Sequence, residues 1–405
     1  MKITILKKSL FQADITACNS ESGCDCGDTS KGFHTYTFTQ NGQQRCFTIY
    51  HPLSRQGEAL SVMFSPNCYA SDKLSGLNGK NENTPTNKAA ERFGYARVLV
   101  STPDKNWVFG NDNVVNDGRP MSCADEDSKD MAYIRKIMAW INSRPEQFDS
   151  SKVYSAGFSQ NSMFSAYIAF CFNDQFRGVW QAGSGMTLKG QSPYVPNCGG
   201  QLAASTFAQC KEEGGGACRQ CIQKYACDDC KYWPIYPCYS PAHPMAHCIA
   251  EYTNDPIAVG QEDIEALSTG RNMYERSKIE GHEARLLRFT PSDSSIPGNH
   301  KDVKNLVYWQ AGCLGVTEPC SSQCETSFVG CVNNQNASTA QEKADAFGTC
   351  IADGAFNALT GCSLDCAPTY SMLAMSEEPS TAEFDNFGAA SSTASTRPND
   401  SLCSQ

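Results

Sequence analysis

Residues 34–50, HTYTFTQNGQQRCFTIY, alternate β-branched and aromatic positions with polar ones around an Asn-Gly pair. A period of two is that of a strand with unlike faces, and Asn-Gly suits a two-residue turn with left-handed backbone angles. The pattern predicts a hairpin with strands over 34–39 and 45–50. Six short apolar runs follow, at 60–64, 97–101, 153–156, 178–182, 248–252 and 284–289. Their brevity is that of strands buried on both faces of a parallel sheet. Between 127 and 142, Met131, Ile134, Ile137, Met138 and Ile141 recur at helical spacing, and acidic residues stand at the front end, where the helix dipole favours them. Weaker helical patterns cover 162–172, 263–280 and 302–311. Strands and helices alternating after a leading hairpin predict the α/β class, a mostly parallel sheet with helices on both faces.

Two segments interrupt the alternation. Residues 193–248 hold eight cysteines (198, 210, 218, 221, 227, 230, 238 and 248) among Gly, Pro and aromatic residues with little periodicity. This reads as a disulfide-stapled insertion between two sheet strands. From Cys320 through Cys366 there are six cysteines, and the pairs Cys320 with Cys324 and Cys362 with Cys366 have the i, i+4 spacing of one helical face. A small stapled helical module is expected there. Beyond Ser376 the chain is Ser, Thr, Ala, Asn and acidic residues, too poor in apolar side chains to form a core. The expected organisation is a cysteine-bearing lead-in over 1–33, an α/β domain over 34–314 carrying the 193–248 insertion, a cysteine-rich helical module over 315–370, and a disordered tail over 371–405.

The chain of 405 residues contains 23 cysteines, a density that points to an oxidising compartment, since reduced thiols staple nothing. The odd count leaves at least one sulfur outside intrachain pairs, and Cys403, alone in the polar tail, is the candidate. No apolar run approaches the roughly 18 residues of a transmembrane helix. The first twenty residues carry only the short apolar run from Ile3 to Leu6, against about 7 to 15 residues in a secretory leader. Cysteines spread through the whole chain outweigh that start, so an extracellular location is expected. The N-x-S/T sites at Asn336 and Asn399 fit it. With 33 Lys plus Arg against 43 Asp plus Glu, the formal charge of −10 argues against a surface built for nucleic-acid phosphates or anionic lipid. Small-molecule or polymeric substrates remain, and a monomer is expected.

Candidate chemistry centres on KVYSAGFSQNSMFSAYIAF, where a short strand pattern runs directly into a helical one with Ser159 at the junction. A sharp strand-to-helix turn lifts a serine hydroxyl above a sheet and aims the next backbone N–H, that of Gln160, at the oxyanion formed when a carbonyl is attacked. Gly157 leaves room for such a turn. In the motif G-x-S-x-G the last position is glycine, and here it is Asn161, a residue that tolerates unusual backbone angles. Serine nucleophiles of this kind need a histidine base and a carboxylate that orients it, in the chain order Ser, acid, His. Of six histidines, His34 and His51 precede the serine in the hairpin region. His243 and His247 flank Pro244 and read as loop residues, and His282 reads as a surface turn. His300, in the polar loop PSDSSIPGNHKD after the last strand pattern, is the candidate base. Asp255, at the end of CIAEYTND before Pro256, is the candidate acid, with Asp293 as fallback, while Asp263 fits a helix start. The loop SPNCYA after 60–64 would supply a second oxyanion donor, the N–H of Cys68, with Tyr69 beside it. Trp107 and Trp233 are candidate substrate contacts.

With these residues in place, the chain resembles the feruloyl esterase and polyhydroxybutyrate depolymerase-like branch of the α/β-hydrolases over about 35–314. The points of likeness are DKNWVFGN, DEDSKDMAYI, VYSAGFSQNSMF, YTNDPI and the late histidine. The resemblance implies Ser159 as nucleophile, Asp255 as orienting acid and His300 as base in a secreted enzyme cleaving ester bonds of polymers or plant-wall conjugates. Asn161 replaces the usual glycine, and SPNC stands where the family often has His-Gly.

Three other readings stand beside this one. The four cysteines of CRQCIQKYACDDC, from Cys218 to Cys230, could hold zinc, but five residues between the pairs is short for a zinc site and disulfides are expected instead. No metal and no cofactor is therefore anticipated. A serine peptidase or amidase would use the same triad. A catalytically silent, cysteine-rich binding protein would keep the fold without the geometry.

Overall fold

The fold is that of a computed structural model, which describes residues 14–67, 84–102, 107, 129–183, 243–252, 277, 282–289 and 307–316. Nine strands form one sheet: β1 (Thr16–Ala17), β2 (Phe33–Gln40), β3 (Gln43–Tyr50), β4 (Leu60–Asn67), β5 (Tyr95–Ser101), β6 (Phe148–Phe158), β7 (Phe176–Ala182), β8 (Ala246–Tyr252) and β9 (Glu283–Phe289). Four α-helices are described: α1 (Pro85–Phe93), α2 (Lys129–Asn142), α3 (Gln160–Cys171) and α4 (Val307–Leu314). The order across the sheet is β1-β2-β3-β5-β4-β6-β7-β8-β9. β1, β2, β3 and β5 pair antiparallel in succession, whereas β4 pairs parallel with both β5 and β6, and β8 with β9. This is the mostly parallel α/β architecture with a leading hairpin that the hydrophobic pattern predicts.

The chain divides inside β7, between Val179 and Trp180, into two compact units. In the first, the hairpin turns at Asn41 (φ 50°) and Gly42 (φ 75°), both left-handed as the Asn-Gly pair requires. Register then decides which side chains face which helix. Arg45 and Phe47 of β3, with Tyr36 and Phe38 of β2, face α2. Phe47 meets Trp140 edge-on at 5.4 Å, Tyr36 meets it at 4.5 Å, and Phe38 stacks on Tyr133 at 5.8 Å. Such pairs add about 0.5–1.5 kcal/mol each beyond the area they bury. On the opposite face, the Tyr50 hydroxyl donates to Glu91 of α1 at 2.6 Å, and the Arg97 guanidinium donates to Asn87 of the same helix. Helices therefore lie on both faces, and β4 and β5 between them are buried almost throughout.

Helix α1 has no counterpart among the predicted elements. Among its described side chains the buried apolar ones are Ala89 and Ala90, too small to make a periodic apolar signal. Its start is instead marked by Thr84, whose side chain accepts from the N–H of Asn87. Glu91 fastens it to the turn after β3 by accepting from the N–H groups of Leu53 and Ser54 and the Ser54 hydroxyl as well as Tyr50. Burial pushes this carboxyl up, but the hydrogen bonds from Ser54, Tyr50 and Leu53 together hold it below its ordinary value.

In the second unit, β8 and β9 pair in register from Ala246 with Glu283 to Tyr252 with Phe289, and the Cys248–Cys313 disulfide ties β8 to α4. Two histidine expectations are corrected here. His247 is not in a loop but inside β8, fully buried, with Nδ1 on the Ser277 hydroxyl and Nε2 3.1 Å from Gln181 Oε1. His282 is not a surface turn residue. It is 5 % exposed and its Nδ1 accepts from the N–H of Met245 at 3.1 Å, joining the chain before β8 to that before β9.

The lead-in is stapled by Cys18–Cys26 and by Cys24–Cys46, the latter onto β3, and Cys171 at the end of α3 is also disulfide-bonded. Nearly all of the 193–248 insertion, the 315–370 module, the tail and Cys403 lie outside the described residues. Among the described residues, no helix is long and apolar enough to cross a membrane, and no group of metal-ligating side chains occurs.

Candidate active site

β4 and β6 are neighbours whose outgoing connections part: β4 leads through α1 to β5 on one side, and β6 leads through α3 towards β7 on the other. In open α/β sheets such a switch point leaves a crevice beyond the carboxyl ends of the two strands, where ligands bind. Ser159 stands there. It follows the last residue of β6 and precedes the first of α3, with φ 57° and ψ −132°. Among the described residues only Asn41, in the hairpin turn, shares positive φ without being glycine. A non-glycine residue in so sparsely populated a region costs about 1–3 kcal/mol and persists only where its surroundings enforce it.

The enforcing parts are visible. Gly157 lies against the first turn of α3 so closely that a Cβ there would stand 2.2 Å from the carbonyl oxygen of Asn161 and 2.6 Å from the nitrogen of Ser162. Strand and helix can meet at this angle only without that carbon. The Ser159 carbonyl accepts from the N–H of Ser162 at 2.9 Å and from its hydroxyl at 2.7 Å, closing the first turn. Further along, Phe164, Ala166, Tyr167, Ile168 and Ala169 are all fully buried, so the helix cannot rotate to relieve the serine.

Gln160 opens α3, so its N–H is one of the first four, which have no acceptor within a helix. No acidic side chain occupies the first turn, leaving the positive end of the helix dipole uncompensated by its own residues. An N–H placed directly after a strained serine at a helix start can stabilise an oxyanion on a carbon attacked by that serine.

Asn161 takes a different part from the one expected. Its backbone is in the helical run of α3, and the left-handed strain falls on Ser159 itself. Its side chain is engaged instead, with Oδ1 accepting from Trp107 Nε1 at 3.0 Å. Trp107, expected as a substrate contact, is 3 % exposed, and its ring stacks on Phe164 at 3.9 Å and 7°. No sequence spacing links Trp107 to residues 54 positions away. The tryptophan-bearing motif DKNWVFGN was its one signal. Asp255, His300, Cys68, Tyr69 and Trp233, with the fallback Asp293, lie outside the described residues.

No family model and no curated protein matches the sequence. The chain is similar to the solved structure of an S-formylglutathione hydrolase from Agrobacterium tumefaciens, with 13 % identity over 75 % of this chain and 100 % of that one, at TM-score 0.40. It is similar also to an acetyl xylan esterase from Aspergillus awamori, with 17 % identity over 60 % and 73 % of the two chains, at TM-score 0.33. A third is a hyperthermophilic esterase from the archaeon Pyrobaculum calidifontis, with 14 % identity over 71 % and 80 %, at TM-score 0.37. At such identity and overlap, the functional reading rests on the geometry of Ser159 and not on these proteins.

Proposed function

We propose that the chain is a serine esterase of the α/β-hydrolase type, in which Ser159 attacks the carbonyl carbon of an ester. The observation that carries this reading is the strained backbone of Ser159, φ 57° and ψ −132°, at the turn from β6 into α3 beside the switch point between β4 and β6. Strain kept at a position where glycine would relieve it points to a side chain that chemistry requires.

In this mechanism His300 takes the Ser159 proton as Oγ bonds to the carbonyl carbon, and Asp255 orients the ring and offsets its positive charge. The carbonyl electron pair moves onto oxygen, to which the N–H groups of Gln160 and Cys68 donate hydrogen bonds. Collapse breaks the bond to the alcohol oxygen, which leaves with the proton from His300, and an acyl-serine remains. Water then attacks the acyl carbon, giving its proton to His300, and the second collapse restores the Ser159 hydroxyl and frees the acid. The described disulfides support secretion. Tyr69 and Trp233 are assigned to substrate contact, and a polymer-bound or aromatic ester is the proposed substrate class.

Hydrolysis of p-nitrophenyl acetate by the native protein and by Ser159→Ala tests the reading. Loss of at least about 10³-fold in kcat on substitution is expected, and equal turnover by the two proteins would refute it. Comparing an aryl ester with the matching anilide separates esterase from amidase, with the ester expected to be far the faster.

A further inference from the structure

Trp107 and Asn161 form a contact that the reaction just described does not use. The Trp107 Nε1–H donates to Asn161 Oδ1 at 3.0 Å, and its ring lies flat on Phe164 at 3.9 Å, so one buried side chain grips α3 at two points one turn apart. The upper grip is on the second residue of the helix, two positions after Ser159 and one after Gln160. From below, the same residue is braced by Gly157, where only a hydrogen atom separates β6 from the Asn161 carbonyl. Asn161 is thus held on its backbone by the strand and on its side chain by the tryptophan.

We infer that Trp107 and Asn161 are positioning residues that fix the first turn of α3, and with it the direction of the Gln160 N–H towards the developing oxyanion. The inference rests on the proposed serine chemistry and deepens it. Its physical basis is geometric. An oxyanion donor is effective only when it already points at the oxygen before charge develops, and removing one such donor costs about 10²- to 10³-fold in kcat. Displacements near 1 Å are enough to lose about 10²-fold. A glycine at position 161 would leave the turn held by its backbone alone. The asparagine adds a side-chain tether, at the place where the sequence departs from the G-x-S-x-G pattern.

Trp107→Phe keeps an aromatic ring against Phe164 and removes the N–H with the five-membered ring that bears it, and Asn161→Ala removes the acceptor with the rest of its amide. With p-nitrophenyl acetate, each is expected to lower kcat by about tenfold, a partial misalignment of one donor, while KM moves less than about twofold. Affinity for phenylboronic acid, which bonds to a serine oxygen as a tetrahedral anion, should fall in step with kcat/KM. The double variant should lose no more than either single one, because both remove the same hydrogen bond. Near-UV circular dichroism of each variant separates this from unfolding. Native kcat in both variants would overturn the inference, as would activity losses that match the fraction unfolded or a KM effect without a kcat effect. If the native protein shows no Ser159-dependent turnover, the esterase reading itself has failed, a result distinct from an active enzyme indifferent to Trp107→Phe.

Discussion

A side-chain carbon on Gly157 would stand 2.2 Å from the carbonyl oxygen of Asn161, inside any permitted contact. The clash is with backbone, so no rotamer change relieves it. Gly157→Ala should push α3 off β6, destabilise the protein by about 3 kcal/mol and lower kcat by about 10²-fold. Urea unfolding and ester turnover measure the two effects. An alanine variant with native stability and rate would show that strand and helix do not meet as described.

Ser159 and glycine at the same position give an opposed pair of effects. Ser159→Gly relieves the positive φ, and after the greater flexibility of unfolded glycine is subtracted it should stabilise the protein by about 1 kcal/mol. Ser159→Ala keeps a Cβ and should leave stability near native. Thermal or urea midpoints of the three proteins decide this, and a glycine variant less stable than the alanine variant would contradict strain at the serine.

Arg45 of β3 and Asp130 of α2 form an ion pair at 2.8 Å with both side chains buried, and the Arg45 guanidinium also lies over the Tyr133 ring at 3.9 Å. Removing one charge strands the other in the core. Asp130→Asn or Arg45→Met alone should cost about 3–5 kcal/mol, whereas Arg45→Met with Asp130→Leu should cost far less. Equal losses for the single and double variants in denaturant titration would mean that packing, and not the unpaired charge, sets the cost.

Burial, with a smaller contribution from the charge of His282, lowers the pKa of His247 from its ordinary 6.5 to about 3. Unfolding returns it to the ordinary value, so below pH 6.5 the unfolded chain binds a proton that the folded one refuses. The stability contributed by neutral His247 is complete above pH 6.5 and is lost as pH falls towards 3, at up to about 1.4 kcal/mol per pH unit. Urea midpoints between pH 6.5 and 4.5, above most carboxylate titration, should decline in the native protein. The decline should be shallower in His247→Phe, which is less stable overall because Gln181 and Ser277 each lose a hydrogen bond. A native protein whose midpoint is constant over this range would contradict a buried neutral imidazole.

What could be read before folding follows from how local each signal is. The Asn-Gly hairpin, the strands from β4 to β9 and the serine between β6 and α3 are all written in neighbouring residues, and they occur where the pattern puts them, although β9 closes the sheet with Glu283 and Arg285 exposed instead of buried. Helix α1 was silent because two alanines bury it, and its cap residue Thr84 carries no periodicity. The histidines misled for another reason. His282 stands in polar sequence, whereas His247 lies among Met245, Ala246, Cys248 and Ile249 just past Pro244, and the hydrogen bonds that satisfy the two rings come from Ser277, Gln181 and Met245, partners supplied by distant parts of the chain. Asn161 looked like a backbone substitution for glycine, whereas its effect is through a side chain meeting Trp107 across 54 residues. Contacts of that separation leave no trace in one sequence.

The central assignment is that Ser159 is a reactive nucleophile and not merely a strained turn residue. Treating the folded protein with a fluorophosphonate and mapping the adduct by peptide mass spectrometry tests this without knowledge of the natural substrate. One phosphonyl group per chain on Ser159 is predicted, abolished by prior denaturation and absent from Ser159→Ala. An unmodified Ser159 peptide, or label carried by another serine in both proteins, would contradict it.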